Sequence, residues 1–356
     1  MQKFSIAILR YGFQQSASDH SLFTMKTDDG NFTALLVYLD DILIGSASVQ
    51  ESNKVKDFLN SLFKLRDLGT VKYFLGLEIA KSPKGISICQ RKYTLDLLEE
   101  NGLLGAKPVS TLIDYNHKLC KVKDGEILSD PTSYRQLIGK LIYLTFSRPD
   151  ICYAVQVLSQ FMDKPRKEHL VAAHRILKYL KASLGQGILM KSKSTLKISR
   201  YADSDWAGCS DTRRSVIGFC IFIGDSLVSW KSKKQSVVAR SSVEAEYRSM
   251  VSTCCEMIWI KSILEDFGIK QNEAMDLYSD SQSVIHKSKN PVFHERTKHI
   301  EIDCHFIREK VLTRLIKPKH ISSSTHITDI LTKALQPNQF YKLLSKMSVH
   351  DIHCSS

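Results

Sequence analysis

Ser199-Arg200-Tyr201-Ala202-Asp203-Ser204-Asp205-Trp206-Ala207-Gly208 places a carboxylate, Asp203, in the middle of a β-forming run. Such a carboxylate must be paired, solvated or bound to a metal, and we interpret it as metal-bound. Three further acids follow at spacings that suit one small α/β domain: Glu246, Asp280 and Asp329. Four converging carboxylates would repel one another strongly unless divalent cations lay between them. The pattern therefore favours a two-metal nuclease centre.

Length and composition are those of a globular chain with a polyanionic partner. The 356 residues have room for two or three domains, and 43% hydrophobic content can give each a core. Fifty Lys and Arg against 37 Asp and Glu give a net charge of +13, which favours nucleic acid as partner. The nine cysteines lack the paired spacing of a zinc ribbon, which predicts a reduced, intracellular protein. No apolar run approaches the roughly 20 residues of a membrane span, so we expect no membrane association.

Near the amino terminus, the sequence predicts a β-hairpin with two acids at its tip. Residues 32–44, FTALLVYLDDILI, form two β-forming runs joined at Asp40-Asp41. On the dipeptide alone, a solvated turn is the more common interpretation. A Tyr-X-Asp-Asp turn between apolar strands is also a way to aim a carboxylate at metal ions.

Helical patterns fill the middle of the chain. Apolar spacing predicts three helices, separated at Pro149 and Pro165, over residues 134–146, 150–162 and 167–184. Residues 185–193, rich in Gly, Lys and Ser, are the predicted linker. Alternatively, 131–184 is a helical bundle without a role in nucleic-acid binding, and its Lys and Arg form a solvated face.

From Thr195 the pattern turns to strands and then to alternating helices and strands. Three runs predict an antiparallel meander: 196–206, 215–225 and 226–232. The remaining predicted elements are a helix over 241–267, a strand at 275–280, a short helix before Asn290, a helix over 295–311, a strand at 315–321 and a last helix from 325. This order predicts a ribonuclease H-like fold, an α+β or α/β domain with a mixed five-stranded sheet flanked by helices.

Long segments in the same order resemble the copia-type LTR retrotransposon Pol polyprotein. Besides the Tyr-X-Asp-Asp hairpin and the C-terminal domain, they are GFQQSASDHSLF at 12–23, FKLRDLGTVKYFLGLEI at 63–79, QRKYTLDLLEENGL at 90–103 and YRQLIGKLIYLTFSRPDICYAVQVLSQF at 134–161. The resemblance implies a reverse transcriptase palm and start of thumb at 1–130, a helical thumb, connection and linker at 131–190, and a ribonuclease H-like domain at 191–356. The family's other polymerase Asp precedes GFQQS, so we expect a truncated polymerase in which Asp40 and Asp41 are an incomplete set.

The resemblance also assigns roles to the acids. In the family's YADxDWAG motif the first Asp, here Asp203, is the central metal ligand, and Asp205 borders the site on the same strand face. Glu246 matches the AEY motif, whereas Glu244 has Arg240 and Arg248 at the spacing of solvated helical ion pairs. Asp280 and Asp329 also suit helix N-termini, where the dipole alone favours an acid.

Some assignments stay open at this point. Glu301 and Asp303 are rivals of Asp329 as the fourth metal ligand. Cellular ribonucleases H carry a histidine in the loop before the fourth acid, and His326 stands near the corresponding position in this sequence, although the loop here is shorter. Four residues after Trp230 form either a phosphate-contacting edge or a solubilising patch: Lys231, Lys233, Lys234 and Gln235.

Two classes of function follow from these residues and the resemblance. The first is cleavage of RNA in RNA/DNA hybrids with two Mg²⁺ ions, or Mn²⁺ as substitute, by residues 190–356 as one contiguous domain. The second is a catalytically dead, nucleic-acid-binding transposon relic. A third possibility is one portion of a larger active polyprotein, whose remainder would then be a partner. The implied location is intracellular, in a cytoplasmic virus-like particle or the nucleus.

Overall fold

The computed structural model describes residues 2–27, 29–121, 125–289 and 300–351. The chain divides into two units, Met1–Leu75 with Cys255–Asn272 and Gly76–Cys254 with Glu273–Ser356. The division of the sequence at residues 130 and 190 stays a prediction. Within the described ranges, no helix is both long and apolar enough to cross a membrane.

The first unit is built on a four-stranded antiparallel sheet. Its elements are α1 (Gln2–Tyr11), β1 (Gln14–Gln15), β2 (Leu22–Lys26), β3 (Phe32–Tyr38), β4 (Asp41–Ser46), α2 (Val49–Leu62) and the short β5 (Tyr73–Phe74). Strands β1 to β4 pair in chain order. Leu35 and Val37 point inward from β3 and pack with Val55 and Leu59 of α2. The predicted hairpin is confirmed, but Tyr38 pairs with Asp41, so the turn residues are Leu39 and Asp40.

The second unit begins with strands and a group of helices. Its elements up to residue 191 are β6 (Leu77–Ser82), β7 (Gly85–Cys89), α3 (Arg91–Glu100), α4 (Pro131–Leu144), α5 (Cys152–Ser159), α6 (Lys167–Lys181) and β8 (Gln186–Lys191). The three predicted helices are α4, α5 and α6, and a 3-10 turn at Pro149–Ile151 joins the first two. A proline can begin a helix but removes a hydrogen bond from its interior, which explains the break there.

The predicted linker at 185–193 is wrong, because this segment forms β8. β8 pairs with β7 on one side, with Ile188 opposite Ile88. A Cβ on Gly187 would lie 2.1 Å from the Ile88 carbonyl oxygen. This glycine therefore permits close approach of two backbones, and does not mark a flexible segment.

The predicted ribonuclease H-like sheet is confirmed by its topology. Its strands and helices are β9 (Ile198–Asp205), β10 (Val216–Ile223), β11 (Ser226–Lys234), α7 (Ser242–Asp266), β12 (Met275–Ser279), α8 (Gln282–Lys289), α9 (Glu301–Leu312) and β13 (Ile316–His320). The strand order is β11-β10-β9-β12-β13. β10 is antiparallel to both of its neighbours, whereas β12 is parallel to β9 and β13. Of the predicted helix over 295–311, residues 295–299 lie outside the described residues, Ile300 is not α-helical, and the α-helix is described from Glu301.

The single last helix predicted from residue 325 is wrong. The chain instead forms a 3-10 turn (Ser323–Thr325), α10 (Asp329–Thr332), α11 (Pro337–Leu344) and β14 (Val349–Asp351). Lys333 is extended and Pro337 starts the next helix, so the backbone changes direction between them. β14 pairs with β8. Leu331 and Leu343 of this segment belong to one hydrophobic core with Leu141 and Ile176 of the earlier helices.

Candidate metal centre

Asp203 lies near the carboxyl end of the central strand β9 and is buried. The Thr332 hydroxyl donates a hydrogen bond to Asp203 Oδ2. The Ser249 hydroxyl on α7 donates to the main-chain oxygen of Asp203 at 2.8 Å. Since these contacts come from α10 and α7, both the strand and its carboxylate are held in place.

Glu246 projects from the first turns of α7 and is also buried. The Ser204 main-chain N–H donates to Glu246 Oε1 at 3.2 Å. Glu246 Oε2 is buried and accepts no hydrogen bond from any described residue. Burial, and then the charges of Asp203 and Asp280, raise the pKa of Glu246 well above its ordinary value. A buried carboxylate oxygen without a partner is costly, which points to a cation as its ligand.

Asp280 follows β12 directly and is half-buried. The Ser323 hydroxyl donates to Asp280 Oδ2 at 2.8 Å. One oxygen each of Asp203, Glu246 and Asp280 lies within 4.8 Å of the other two. The parallel pairing of β9 with β12 explains this proximity, because both strands end at the same edge of the sheet.

Asp329 lies on the other side of Asp203, at the start of α10. Ligand atoms of Asp203, His326 and Asp329 form a second group within 4.8 Å. Burial and the Asp203 charge raise the pKa of Asp329, and Lys333 opposes that rise. His326 is fully buried, with Nε2 3.1 Å from the Thr328 hydroxyl.

Both groups suit a hard divalent cation such as Mg²⁺. Carboxylate oxygens are the ligands that Mg²⁺ prefers, at about 2.0–2.1 Å each, and the ligand atoms within each group lie within 4.8 Å of one another. The partnerless oxygen of Glu246 is the second indication. Asp203, Glu246 and Asp280 would hold one ion, and Asp203 with Asp329 a second.

The rival acids are not part of either group. Glu244 is buried, with Oε1 2.7 Å from Arg248 Nη2 and Oε2 accepting from the Arg240 N–H at 2.7 Å. The expected ion pair with Arg248 is therefore present, but it is not solvated at the glutamate, because Glu244 is buried. Asp303 lies 3.9 Å from Arg248 Nε, and Glu301 is exposed.

Asp205 borders the site, as predicted from the strand face. Burial raises the pKa of its carboxyl group, and Lys333 opposes the rise. A Cβ on Gly208 would lie 2.0 Å from Asp205 Oδ2. Glycine at that position therefore leaves space for the Asp205 carboxylate, at a turn where Ala207 has a φ of +56°.

The predicted phosphate-contacting edge divides into exposed and buried parts. Lys231 and Lys233 are exposed on the same side of β11. Lys234 Nζ donates to Gln160 Oε1 at 2.6 Å. Gln235 is buried and its Nε2 donates to the Ala245 oxygen at 3.1 Å. Gln235 thus stabilises the entry to α7 and is not part of a surface edge, while contact of the lysines with nucleic acid stays a prediction.

The two acids of the amino-terminal hairpin are exposed. Leu39 has a φ of +51°, which lets the two-residue turn present Asp40 and Asp41 at the tip. Among the described residues, no third acid, His or Cys lies close enough to Asp40 and Asp41 to complete a group of metal ligands.

Three side chains that contact the acids were not predicted from the sequence: Ser323, Thr332 and Lys333. Thr332 and Lys333 follow Asp329 at helical spacing, so a helical register from Asp329 could have indicated them. Ser323 could not have been found in this way, because it reaches Asp280 from a distant part of the chain.

Sequence comparisons point to one family. Residues 1–114 match the family described as "Reverse transcriptase (RNA-dependent DNA polymerase)". The chain is 42% identical to the Arabidopsis thaliana "Retrovirus-related Pol polyprotein from transposon RE1" over 96% of this chain and 23% of that polyprotein. The chain is 34% identical to the Nicotiana tabacum "Retrovirus-related Pol polyprotein from transposon TNT 1-94". That match covers 98% of this chain and 27% of that polyprotein. The Saccharomyces cerevisiae "Putative transposon Ty5-1 protein YCL074W" is 32% identical over 70% of this chain and 81% of that protein.

Among solved structures, one similar to part of this chain is "LC11-RNase H1 in complex with RNA/DNA hybrid". The match covers 38% of this chain and 94% of the LC11-RNase H1 chain, with 14% sequence identity and a TM-score of 0.31. The chain spans about a quarter of the RE1 and TNT 1-94 polyproteins, 23% and 27% of their lengths. The sequence matches to these polyproteins extend over almost all of this chain, and the match to the Ty5-1 protein covers most of that relative. On this basis, the chain belongs to the copia-type family of retrotransposon Pol polyproteins.

Proposed function

We propose that this chain cleaves the RNA strand of RNA/DNA hybrids, using two Mg²⁺ ions for which Mn²⁺ can substitute. The convergence of Asp203, Glu246 and Asp280 within 4.8 Å, with a buried Glu246 oxygen left partnerless, carries the proposal. An RNA-dependent DNA polymerase produces an RNA/DNA hybrid, so a nuclease in the same family has that substrate at hand. The two ions would activate the attacking water and stabilise the leaving oxygen of the RNA backbone.

The chain's own residues hold this arrangement ready. Asp203 belongs to both groups of ligands, and Thr332 fixes the direction of its carboxylate. The Ser204 N–H orients Glu246 and leaves Oε2 without a protein partner. Ser323 orients Asp280 in the same way. Hydrogen bonds that are already formed lower the cost of ordering the ligands when a cation binds.

Polymerase activity is the second candidate, because the family description covers residues 1–114. We propose that the 356-residue chain does not extend a primer, because the described residues bring no third acid to Asp40 and Asp41.

We also propose that the remainder of the Pol polyprotein is a partner, and that the protein is intracellular, in a cytoplasmic particle or the nucleus. The free thiols of all cysteines in the described ranges support a reducing location.

A cleavage assay with labelled RNA/DNA hybrid tests the proposal. The wild-type chain should cut the RNA with Mg²⁺ or Mn²⁺ and spare double-stranded DNA. Asp203→Asn should cleave at least about 100-fold more slowly than the wild type, because Asn is isosteric with Asp but uncharged. Its circular dichroism spectrum should be unchanged. Asp276→Asn is the matched control, since Asp276 is a buried acid on the neighbouring strand that pairs with Lys319 at 2.9 Å, and it should remain active.

Other outcomes would point elsewhere. Full activity of Asp203→Asn would remove Asp203 from the centre. A folded wild-type chain that binds metal and hybrid without cutting would favour the catalytically dead relic. Extension of a DNA primer on an RNA template would mean that another acid completes the polymerase site.

A further inference from the structure

The two sides of the metal centre differ in their cations. Lys333 Nζ lies 3.0 Å from Asp329 Oδ1 and 3.6 Å from Asp203 Oδ2. In the described part of the chain, neither Glu246 nor Asp280 forms an ion pair. One side of Asp203 is therefore covered by a positive side chain, and the other is left to Glu246 and Asp280.

Lys333 and a divalent ion cannot occupy the Asp203–Asp329 side together. An Mg²⁺ ion bound by both carboxylates, at about 2.0–2.1 Å from each, would compete with Lys333 Nζ for the carboxylates that it contacts. The two cations would also repel each other at that distance. The Lys333 side chain is 36% exposed, whereas those of Asp203 and Asp329 are 3% and 6% exposed, so the lysine is the group that can leave.

We propose that Lys333 is a tethered cation that occupies the second metal position of the metal-free protein and must move into solvent before an ion binds there. The inference rests on the proposed metal centre and adds the order in which its two positions bind ions. The Asp203–Glu246–Asp280 side binds first, and the Asp203–Asp329 side binds second and more weakly. Lys333 is thus a positioning residue: it neutralises two buried acids and sets the affinity for the second ion.

Metal titration without nucleic acid tests the order. Isothermal titration of Mn²⁺ into the metal-free wild-type chain should show one tightly bound ion and a second ion that binds only at much higher Mn²⁺ concentration. Lys333→Met should bind a second ion at least about tenfold more tightly than the wild type does. Lys333→Arg keeps the charge and should behave as the wild type. Lys319→Met is the matched control, because Lys319 has the same 36% exposure and pairs with the buried Asp276, and it should leave the metal isotherm unchanged.

A second measurement needs no variant and remains informative if Lys333→Met does not fold. The wild-type chain is acetylated, and mass spectrometry follows the rate at each lysine. Lys333 should be acetylated several-fold faster at saturating Mn²⁺ than in EDTA, because its displaced ammonium group enters solvent. Lys319 should be modified at the same rate in both conditions.

The outcomes separate this inference from the proposed function. A second ion that binds with the same affinity in the wild type and Lys333→Met, a second ion absent from both, or unchanged acetylation of Lys333 at saturating Mn²⁺ would overturn the role of Lys333 and leave the first metal position standing. No bound ion in either protein would overturn the metal centre itself. Hybrid cleavage that fails while Lys333→Met still gains the second ion would remove the proposed activity and keep the role of Lys333.

Discussion

Two glutamates in the first turns of α7 differ in their surroundings although only Ala245 separates them. Glu244 has an arginine partner at 2.7 Å and a main-chain N–H at the same distance. Glu246 faces Asp203 and Asp280 and keeps one oxygen without a protein partner. Substituting each with glutamine therefore removes a charge that is compensated in one case and uncompensated in the other.

We expect the two substitutions to have opposite effects. Glu246→Gln should abolish hybrid cleavage and stabilise the metal-free chain at pH 8 by about 1–3 kcal/mol, because it removes an unsatisfied buried carboxylate. Glu244→Gln should still cleave the hybrid, but its free energy of unfolding should fall by about 1–3 kcal/mol, because the substitution weakens a charged hydrogen bond to Arg248. Urea denaturation in EDTA and the cleavage assay measure both. Loss of cleavage in Glu244→Gln alone would reverse the assignment.

The stability difference of Glu246→Gln should depend on pH. The folded protein raises the pKa of Glu246, so it binds that proton more tightly than the unfolded chain does. The metal-free wild type should therefore lose stability as pH rises from the unfolded pKa through the raised folded pKa. The advantage of Glu246→Gln should be small at pH 4 and grow towards pH 8. A constant difference across that range would show that Glu246 has an unperturbed pKa.

Arg200, also on β9, is fully buried, and none of its three guanidinium nitrogens has a hydrogen-bond partner among the described residues. Burial lowers the pKa of this arginine. A buried charge without a partner costs several kcal/mol, so Arg200→Met should raise the free energy of unfolding by about 1–4 kcal/mol. Urea denaturation measures it, and Arg213→Met, in an exposed turn, is the control with little change. A destabilised Arg200→Met would imply a polar partner for Arg200.

At the scale of elements, β8 shows how glycine can belong to a strand. Gly187 faces the Ile88 carbonyl so closely that a side chain has no space. Next to it, a buried network connects the 3-10 turn to β8: Arg148 contacts Asp150 at 2.7 Å, and Gln186 Nε2 donates to Asp150 Oδ2 at 2.9 Å. The entry to β8 is therefore fixed both by backbone contact and by charge.

We expect Gly187→Ala to destabilise the protein by about 1–3 kcal/mol, because the new methyl group would force β7 and β8 apart. Gly139→Ala is the control, since Gly139 is an exposed position of α4 with nothing within 4 Å of its added Cβ. That substitution should stabilise by about 0.5–1 kcal/mol. Thermal denaturation compares them. If both alanines stabilise, residues 186–191 are a flexible segment and not a strand.

At the scale of the molecule, the core of the second unit is shared between distant parts of the chain. Leu141 and Ile176 pack in one cluster with Leu331 and Leu343. β8, in turn, pairs with β7 and β14. That residues 190–356 act as one contiguous domain stays a prediction, and the shared core argues against it, because that fragment would lose α4, α5, α6 and most of β8.

We expect the fragment 190–356 to be poorly folded, since exposing the inner faces of α10 and α11 removes about 1.5–3 kcal/mol for each large apolar side chain. The fragment 76–356 keeps both halves of this core and should be folded and active on hybrid. Circular dichroism, denaturation and cleavage compare the two fragments with the full chain. A cooperative, active fragment 190–356 would show that the shared core is dispensable.

Local patterns were enough for much of the protein. Runs of β-forming residues predicted β3, β9 and β10, helical spacing predicted α7, and the four acids stood in recognisable motifs, because these signals depend on neighbours within a few residues. Whether an acid has a cation depends instead on contacts across the fold. Asp203 meets Thr332 and Lys333 although more than a hundred positions separate them, and Gly187 became a strand residue because of Ile88. Folding brings such pairs together, and the charge balance of the candidate centre is therefore a property of packing.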